Sequence, residues 1–188
     1  MNMNKKNYAA EEIFASALKN HQKKNFKIAE SLYRKILKIY PNHFESNFLL
    51  GTLLAETKQF GVAKQMLIKS VQIRSNHADA HNNLANVLKE LDEIQEAINH
   101  YQKAIQINPN YVDAYNNLGI ILGELNHVNE AKKNFEKSLN LDPNNKKTCE
   151  GYGDILLKLN QHSRALAYIE KGSGSIRFTQ KNLQLFKR

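Results

Sequence analysis

The sequence predicts an all-α protein, a solenoid built from about five helical hairpins. The first observation behind this prediction is a pattern of residue types that recurs every 34 positions along the 188-residue chain. The second is the spacing of apolar residues inside each repeat, which fits two helices separated by a polar break. The third is the composition, with 41% hydrophobic residues, 24% charged residues and three prolines. Such a composition favours a folded, helix-rich chain.

The repeat is visible as columns of small and large residues. One small column holds Ala29, Ala63, Ala97, Ala131 and Ala165, a second holds Ala17, Gly51, Ala85, Gly119 and Gly153, and a large apolar column holds Tyr33, Leu67, Tyr101, Phe135 and Ile169. Because antiparallel helices approach closely only where side chains are small, we expect Gly119 and Ala131 to mark the crossing within a hairpin. The large column is expected to fill the space between hairpins.

Proline and asparagine mark the ends of the repeats. Pro41, Pro109 and Pro143 share one position of the repeat, and an asparagine follows each of them. We expect the proline to end the second helix of a hairpin and the asparagine to cap the next helix. The resulting units are 10–43, 44–77, 78–111, 112–145 and 146–177, preceded by a flexible N-terminus at 1–9 and followed by a C-terminal extension at 178–188.

The last stretch, KGSGSIRFTQKNLQLFKR at 171–188, departs from the repeat pattern. Gly172 and Gly174 are expected to break the last helix, and Thr179 can cap a short helix that carries Leu183 and Phe186. Solenoids need a terminal cap over their last apolar face, so we interpret this segment as a cap. A functional peptide is the alternative interpretation.

The charge of the chain is unevenly distributed. It holds 27 Lys and Arg against 18 Asp and Glu, which gives a net charge of +9. Residues 1–43 and 146–188 each hold nine basic and three acidic side chains, whereas residues 78–145 hold five basic and ten acidic ones. Because this distribution leaves no continuous basic track, we do not expect nucleic-acid binding. Association of the two basic ends with nucleic acid is kept as a rival hypothesis.

Several other classes of protein are not expected. The sequence holds no apolar run long enough for a signal peptide or a membrane span. Cys149 is the single cysteine, and no spacing of Cys and His resembles a metal site. We therefore expect a cytoplasmic protein with no membrane, metal or cofactor partner. No phosphate-binding loop, activated nucleophile or enclosed carboxylate pair is present in the sequence, so we expect no enzyme activity.

These columns resemble the tetratricopeptide repeat (TPR), a 34-residue helix–turn–helix unit. The resemblance covers residues 10–177 and implies a right-handed superhelix that folds as an independent array. It also implies that the first helices of the hairpins line a concave groove. One departure is the column where the family often has Trp, which here holds Ile13, Asn47, His81, Tyr115 and Cys149.

The resemblance assigns groove positions residue by residue. In the third to fifth units they are Asp79, Asn82, Asn83, Asn86, Lys89, Glu90, Asp113, Asn116, Asn117, Ile120, Gly123, Glu124, Lys147, Glu150, Gly151, Asp154, Leu157 and Lys158. The first two units contribute a more apolar end that includes Phe14, Phe48 and Leu49. These three residues are interpreted as groove, as core or as a surface for self-association of the terminal repeats.

The strings HNNLANVL at 81–88 and YNNLGIIL at 115–122 place an asparagine pair at the same point of two repeats. A primary amide offers two donors and an acceptor, which match the groups of an extended peptide backbone. The pattern is similar to the TPR superhelix of O-linked N-acetylglucosamine transferase, whose asparagine ladder binds substrate polypeptides. That resemblance assigns the ladder to Asn83 and Asn117 and the supporting carboxylates to Asp79 and Asp113.

A second TPR ligand site, the two-carboxylate clamp for chaperone C-termini, is matched only in part. Asn86, Asn117 and Lys147 fit its pattern, but Asn82 and Gly151 stand where the clamp has Lys and Arg. We therefore do not expect tight capture of an acidic C-terminus. The peptide-binding residues predicted from both resemblances are Asn82, Asn83, Asn86, Asn116, Asn117, Asp79, Asp113 and Lys147.

The sequence thus favours a non-enzymatic scaffold that binds an extended polypeptide in its groove. The alternative is a substrate-targeting module of a glycosyltransferase-type system whose catalytic domain is on another chain. The asparagine pairs also have a simpler interpretation, namely solvated helix faces in an Asn-rich chain. Asp79 and Asp113 likewise stabilise a helix N-terminus whether or not a ligand is bound.

Overall fold

The structure of the chain is a computed structural model that describes residues 3–174, with side chains from residue 10 onward. This part of the chain contains ten helices and no strand. The helices are α1 (Met3–Gln22), α2 (Phe26–Ile39), α3 (Phe44–Glu56), α4 (Phe60–Ile73), α5 (Ala78–Glu90), α6 (Ile94–Ile107), α7 (Val112–Glu124), α8 (Val128–Leu141), α9 (Lys146–Lys158) and α10 (His162–Ser173). The predicted all-α class, a solenoid of helical hairpins, is confirmed.

The chain divides into two compact units, Met1–Ile107 and Asn108–Arg188. The first unit contains three hairpins, in which α1 packs on α2, α3 on α4, and α5 on α6. The second unit contains two hairpins, α7 on α8 and α9 on α10. Within each unit, the second helix of one hairpin also packs on the first helix of the next, so that α4 contacts α5 and α8 contacts α9. None of the helices described is long and apolar enough to cross a bilayer.

The first helix begins earlier than the first repeat unit. Residues 3–9, predicted as part of a flexible N-terminus, form the opening turns of α1. Extending an existing helix adds one hydrogen bond for each residue fixed, so its cost is much smaller than that of starting a helix.

Each hairpin turns at a residue with a positive backbone φ angle. These residues are Lys24, Lys58, Asp92, Asn126 and Asn160, with φ between 58° and 62°. In the fourth hairpin, the backbone N–H of His127 donates to the carbonyl oxygen of Leu122 at 2.8 Å, which closes the end of α7. Asn and Asp tolerate this left-handed conformation better than most residues, which explains their presence at three of the five turns.

The small columns lie where the two helices of a hairpin approach each other. In the last hairpin, a Cβ atom added to Gly153 would lie 3.2 Å from the carbonyl oxygen of Ala165. In the fourth hairpin, a Cβ atom added to Gly119 would lie 3.0 Å from the ring of Phe135, and Ala131 lies beside Gly123, one helical turn further along α7. Gly119 is therefore small also because a member of the large column packs against it.

The large column lies between helices of neighbouring hairpins, as expected. In the second unit a Cβ added to Gly151 of α9 would lie 2.7 Å from the Phe135 ring, which also covers Gly119 of α7. Phe135 is 1% exposed. One aromatic ring thus joins two hairpins, and it needs glycine on both sides.

The helix caps lie one residue later than predicted. The Nδ1 atom of His43 accepts from the backbone N–H of Ser46 at 3.1 Å, and the Oδ1 atom of Asn145 accepts from that of Thr148 at 3.1 Å. Asn42, predicted as a cap, instead lies in a turn in which the backbone N–H of His43 donates to the carbonyl oxygen of Tyr40 at 3.0 Å. Pro41 is suited to this turn because its ring fixes φ near the required value.

In the first unit, two residues of the column in which the family often has Trp make buried polar contacts. Asn47 is 1% exposed, and its Nδ2 atom donates to the carbonyl oxygens of Pro41 and His43 at 3.1 and 2.9 Å. His81 is 7% exposed, and its Nε2 atom lies 3.1 Å from the carbonyl oxygen of Ser75. Both side chains therefore anchor the preceding turn to the first helix of their hairpin.

A pair of neutral histidines joins α5 to α6. Because a carbonyl oxygen only accepts, the Nε2 atom of His81 donates to Ser75, and its Nδ1 atom accepts from the Nδ1 atom of His100 at 2.8 Å. Burial is the main cause that lowers the pKa of both rings. The charges of Lys103 and His77 lower the pKa of His81 further, and the bond to Ser75 opposes this shift. Protonation of His81 at Nδ1 would turn this acceptor into a donor and break the pair.

Acid is expected to destabilise the first unit through this pair. The pKa of each histidine is lower in the folded chain than in the unfolded chain, where it is about 6.5. The stabilisation is therefore complete above the unfolded pKa and is lost as the pH falls through the folded pKa. Chemical unfolding at pH 7.5 and at pH 5 should show a lower free energy of unfolding at pH 5.

The repeat itself supplies the control for this experiment. Asn47 and Met66 occupy the positions of the second hairpin that correspond to His81 and His100. The double variant His81→Asn with His100→Met keeps a donor for the Ser75 carbonyl and removes both titrating rings. We expect a smaller pH dependence in this variant, and an unchanged pH dependence would contradict the assignment.

Candidate peptide-binding surfaces

The asparagine pair of the first unit lies on α5 and is held by hydrogen bonds. Asn82 is 5% exposed, and its Nδ2 atom donates to the Oδ1 atom of Asn83 at 3.5 Å. Asn83 is half-buried, and its Nδ2 atom donates to the hydroxyl oxygen of Thr52 on α3 at 3.1 Å. The side chain of Asn83 is therefore oriented by a neighbour on its own helix and by the preceding hairpin.

The asparagine pair of the second unit repeats this arrangement on α7. Asn116 is 3% exposed, and its Nδ2 atom donates to the Oδ1 atom of Asn117 at 3.4 Å. The Oδ1 atom of Asn116 is buried and accepts no hydrogen bond within the part of the chain that the structure describes. A buried acceptor without a donor is costly, so this atom marks a point where a donor would be favourable.

The expectation that Asn82 and Asn116 both face an open groove is wrong, because both side chains are buried. Each amide turns along its helix towards the next asparagine rather than towards solvent. Asn83 and Asn117, by contrast, are half-buried and keep part of their surface accessible. In each unit, the first asparagine of the pair supports the second.

The other predicted site residues have different surroundings. The Oδ1 atom of Asn86 accepts from the hydroxyl group of Tyr101 at 2.7 Å, so this oxygen satisfies a buried tyrosine. Asp79, Asp113 and Lys147 are exposed. The structure thus places Asp79 on the same helix as Asn83, and Asp113 on the same helix as Asn117.

Two of the apolar residues near the N-terminus contribute to packing. The Phe14 ring lies 6.2 Å from that of Tyr33, and the Phe48 ring stacks on that of Phe44 at 5.8 Å. Phe14, Phe48 and Leu49 are all half-buried. These contacts favour the interpretation of Phe14 and Phe48 as part of the core of the first unit.

A pocket of about 500 Å³ lies between α7 and α9 of the second unit, and seven of its lining residues are groove positions assigned by the TPR resemblance. We call it the α7–α9 pocket. It is lined by Gly119, Ile120, Gly123, Glu124, Phe135, Gly151, Asp154, Ile155, Leu157, Lys158, Asn160 and His162. The space exists because three of these residues are glycines on first helices, where a side chain would fill it. Gly123 and Gly151 were predicted as groove positions, but neither was predicted as a peptide-binding residue.

Charged groups surround this apolar pocket. The Nζ atom of Lys158 donates to the carbonyl oxygen of Gly123 at 2.6 Å, which ties the end of α9 to α7. Loss of water around Asp154 is the largest cause that raises the pKa of its carboxyl group; Glu150 adds to the rise and Lys158 opposes it. A cation brought into the pocket would relieve this unfavourable environment.

The helices and their contacts define a protein of the α-solenoid class, made of helical hairpins with short turns. A family model described as tetratricopeptide repeat matches residues 112–145, and one described as TPR repeat matches residues 86–126. A model described as anaphase-promoting complex, cyclosome, subunit 3 matches residues 22–104. No match was found among curated protein sequences.

Solved structures of other proteins share this fold. MamA is 26% identical with a TM-score of 0.78, over 88% of this chain and 90% of MamA. PilF of Pseudomonas aeruginosa is 24% identical with a TM-score of 0.81, over 95% of this chain and 82% of PilF. YrrB, described as a TPR protein with an unusual peptide-binding site, is 20% identical with a TM-score of 0.71, over 92% of this chain and 87% of YrrB. PilF and YrrB show the fold alone.

The described part of the chain shows no grouping typical of a metal site. Among the residues described, no three His, Cys, Asp or Glu side chains come together in a way that could hold a metal ion. Cys149 is buried, and burial raises the pKa of its thiol. The arrangement of the described residues is that of surfaces that can bind, with amides, carboxylates and an apolar pocket on first helices.

Proposed function

We propose that this chain is a non-enzymatic scaffold that binds an extended polypeptide through the first helices of its hairpins. TPR proteins bind protein or peptide partners, and this chain contains TPR units. Asn83 and Asn117 are the residues proposed to hold the backbone of the ligand, next to the exposed carboxylates of Asp79 and Asp113. We also propose a cytoplasmic location, where a single buried thiol needs no partner.

One observation carries the proposal, namely that the same side-chain arrangement recurs 34 residues apart. In both units the buried first asparagine donates to the Oδ1 atom of the second, at 3.5 and 3.4 Å. An amide held in this way has already lost rotamer freedom before a ligand arrives, so binding costs less entropy. A peptide backbone presents its donors and acceptors repeatedly, which suits amides that recur with the repeat.

The same amides also support a second candidate function, a targeting module for a transferase on a separate chain. The recurrent Asp and Asn pattern on α5 and α7 is the observation that favours it. The two functions differ in the partner rather than in the surface. A stable complex with a transferase, formed at the same time as a complex with its substrate, would favour the targeting module.

The first test compares two double variants of the ladder residues. Asn83→Ala with Asn117→Ala removes both amides, including the Oδ1 atoms that accept from the Nδ2 atoms of Asn82 and Asn116. Loss of a buried partner costs about 1–3 kcal/mol for each pair, so this variant should be less stable. Asn83→Asp with Asn117→Asp keeps an oxygen acceptor for each supporting amide, so it should retain most of the stability.

Both variants are expected to lose retention of co-purifying polypeptide. Each asparagine that grips the ligand contributes about 1 kcal/mol or more, so two lost contacts weaken binding by about tenfold or more. Retention is measured by quantitative mass spectrometry of material that co-purifies with each chain. If only the alanine variant loses retention, and it also loses stability while the aspartate variant keeps both, the asparagines are structural.

A further inference from the structure

We propose that residues 175–188 of the chain occupy the α7–α9 pocket of the same molecule. This inference goes beyond the proposed function, because it concerns a different surface and a ligand that the chain carries itself. It assigns the pocket to a segment that combines large apolar side chains with cations. The assignment depends on the shape of the pocket, its charge, the composition of the segment and the reach of the chain.

The pocket accepts bulky apolar groups. Its base is the ring of Phe135 with the backbone of Gly119 and Gly151, and its sides include Ile120 and Leu157. A Cβ added to Gly151 would lie 2.7 Å from that ring, so nothing larger than glycine leaves the base open. A volume of about 500 Å³ holds more than one large side chain.

The charge around the pocket favours a cation rather than an anion. The exposed carboxylate of Asp154 lines the pocket and makes no hydrogen bond or ion pair among the residues that the structure describes. Lys158, the cation of the lining, already donates to the Gly123 carbonyl. A ligand with Lys or Arg beside its apolar group would therefore meet an opposite charge at the pocket.

Residues 175–188, SIRFTQKNLQLFKR, have this chemistry. Their large apolar side chains are Ile176, Phe178, Leu183, Leu185 and Phe186, and their cations are Arg177, Lys181, Lys187 and Arg188. The segment contains no acidic residue. Arg177 precedes Phe178, and Lys187 follows Phe186, so each aromatic side chain has a neighbouring cation.

The segment starts close enough to reach the pocket. Gly172, near the end of α10, lies against Lys146 and Glu150 of α9, where an added Cβ would lie 2.8 Å from the Lys146 carbonyl oxygen. Gly151, in the base of the pocket, follows Glu150 directly. From Glu150 to Lys158 the helix α9 rises about 12 Å, whereas a 14-residue segment spans up to about 46 Å when extended.

Linkage within one chain gives this interaction an advantage over a free peptide. A ligand tethered by a short linker has an effective concentration in the millimolar range, so even a weak contact is occupied. An external peptide with the same chemistry would have to displace the segment.

The test uses the full chain and a fluorescent synthetic peptide with the sequence of residues 175–188. In one variant, Phe178→Ser and Phe186→Ser remove the two aromatic side chains of the chain's own segment. We expect this variant to bind the peptide at least about tenfold more tightly than the unchanged chain, because its pocket is free of the tethered competitor. Binding is measured by fluorescence anisotropy.

Two changes in the pocket show where the peptide binds. Added to the same variant, Leu157→Ser removes a half-buried apolar side chain from the wall of the pocket, and Asp154→Lys, on an exposed side chain that need not affect folding, reverses the charge. Each should weaken peptide binding by about fivefold or more. Glu170→Lys, an exposed acid of the second unit outside the pocket, is the charge control and should have a much smaller effect.

Several outcomes would overturn the proposal. They are equal affinity in the unchanged chain and the serine variant, no binding to either chain, or binding that neither pocket change affects. A dimer that dissociates when Phe178 and Phe186 are replaced would also overturn it, because the segment would then occupy the pocket of a second copy. Light scattering of both chains distinguishes that outcome. None of these results depends on Asn83 or Asn117, so failure here is distinct from failure of the proposed function.

Discussion

Replacing Phe135 with alanine is expected to lower the free energy of unfolding by about 3–5 kcal/mol, the range for an aromatic core side chain. The ring is 1% exposed and joins two hairpins through Gly119 and Gly151. Gly119 and Gly151 have no side chains that could move into the space that the ring leaves. The loss should therefore include the full cost of a cavity as well as the lost apolar burial.

Chemical unfolding followed by circular dichroism measures this change in the free energy of unfolding. Leu125→Ala is the matched control, since this residue lies in the same unit but is 43% exposed. We expect the control to change the free energy of unfolding by about 0.5 kcal/mol or less. Similar losses in both variants would contradict the role assigned to Phe135.

Gly172→Ala is expected to destabilise the last hairpin by about 1–2 kcal/mol. Its added Cβ would lie 2.6 Å from the Glu150 side chain and 2.8 Å from the Lys146 carbonyl oxygen. A backbone oxygen cannot turn away as a side chain can, so α9 and α10 must separate. Overpacking of this kind costs about 1–3 kcal/mol, and the better helix propensity of alanine offsets up to about 1 kcal/mol of it.

Gly61→Ala provides a control with the opposite sign. Gly61 lies in the first turn of α4, and an added Cβ would meet no atom within 4 Å. Here only the gain in helix propensity remains, so we expect unchanged or higher stability, by up to about 1 kcal/mol. Hydrogen exchange of α10 and thermal unfolding check the pair of variants. If Gly172→Ala and Gly61→Ala change the stability equally, the close contact between Gly172 and α9 does not matter for stability.

The sequence predicted the hairpins because its columns record packing, but it could not fix which columns meet. Gly119 and Gly123 are four residues apart, so both lie on one face of α7. Either could have faced Ala131 on pattern alone, and only the structure shows that Gly123 does. Gly172 is a similar case. It was predicted to break α10, yet it lies inside the helix, where its lack of a side chain allows α9 to approach.

The candidate site was predicted in part for the same reason. The pattern placed the asparagine pairs on the first helices, but periodicity says nothing about which way an amide turns. Asn82 and Asn116 each donate to the next asparagine, and the rotamer of the side chain, not the position in the repeat, sets this direction. The residues of the α7–α9 pocket were largely predicted to line the groove, but the pattern could not show that the absence of a side chain at Gly151 leaves an open space there.

The retention of polypeptide by the two asparagine double variants tests the central proposal most directly. It is measured against a control chain carrying Asn99→Ala and Asn140→Ala, two exposed asparagines on the second helices α6 and α8. If Asn83 and Asn117 grip a ligand backbone, the Asp variant retains about tenfold less polypeptide than the control at nearly equal thermal stability. Equal retention by the Asp variant and the control would contradict the proposed function.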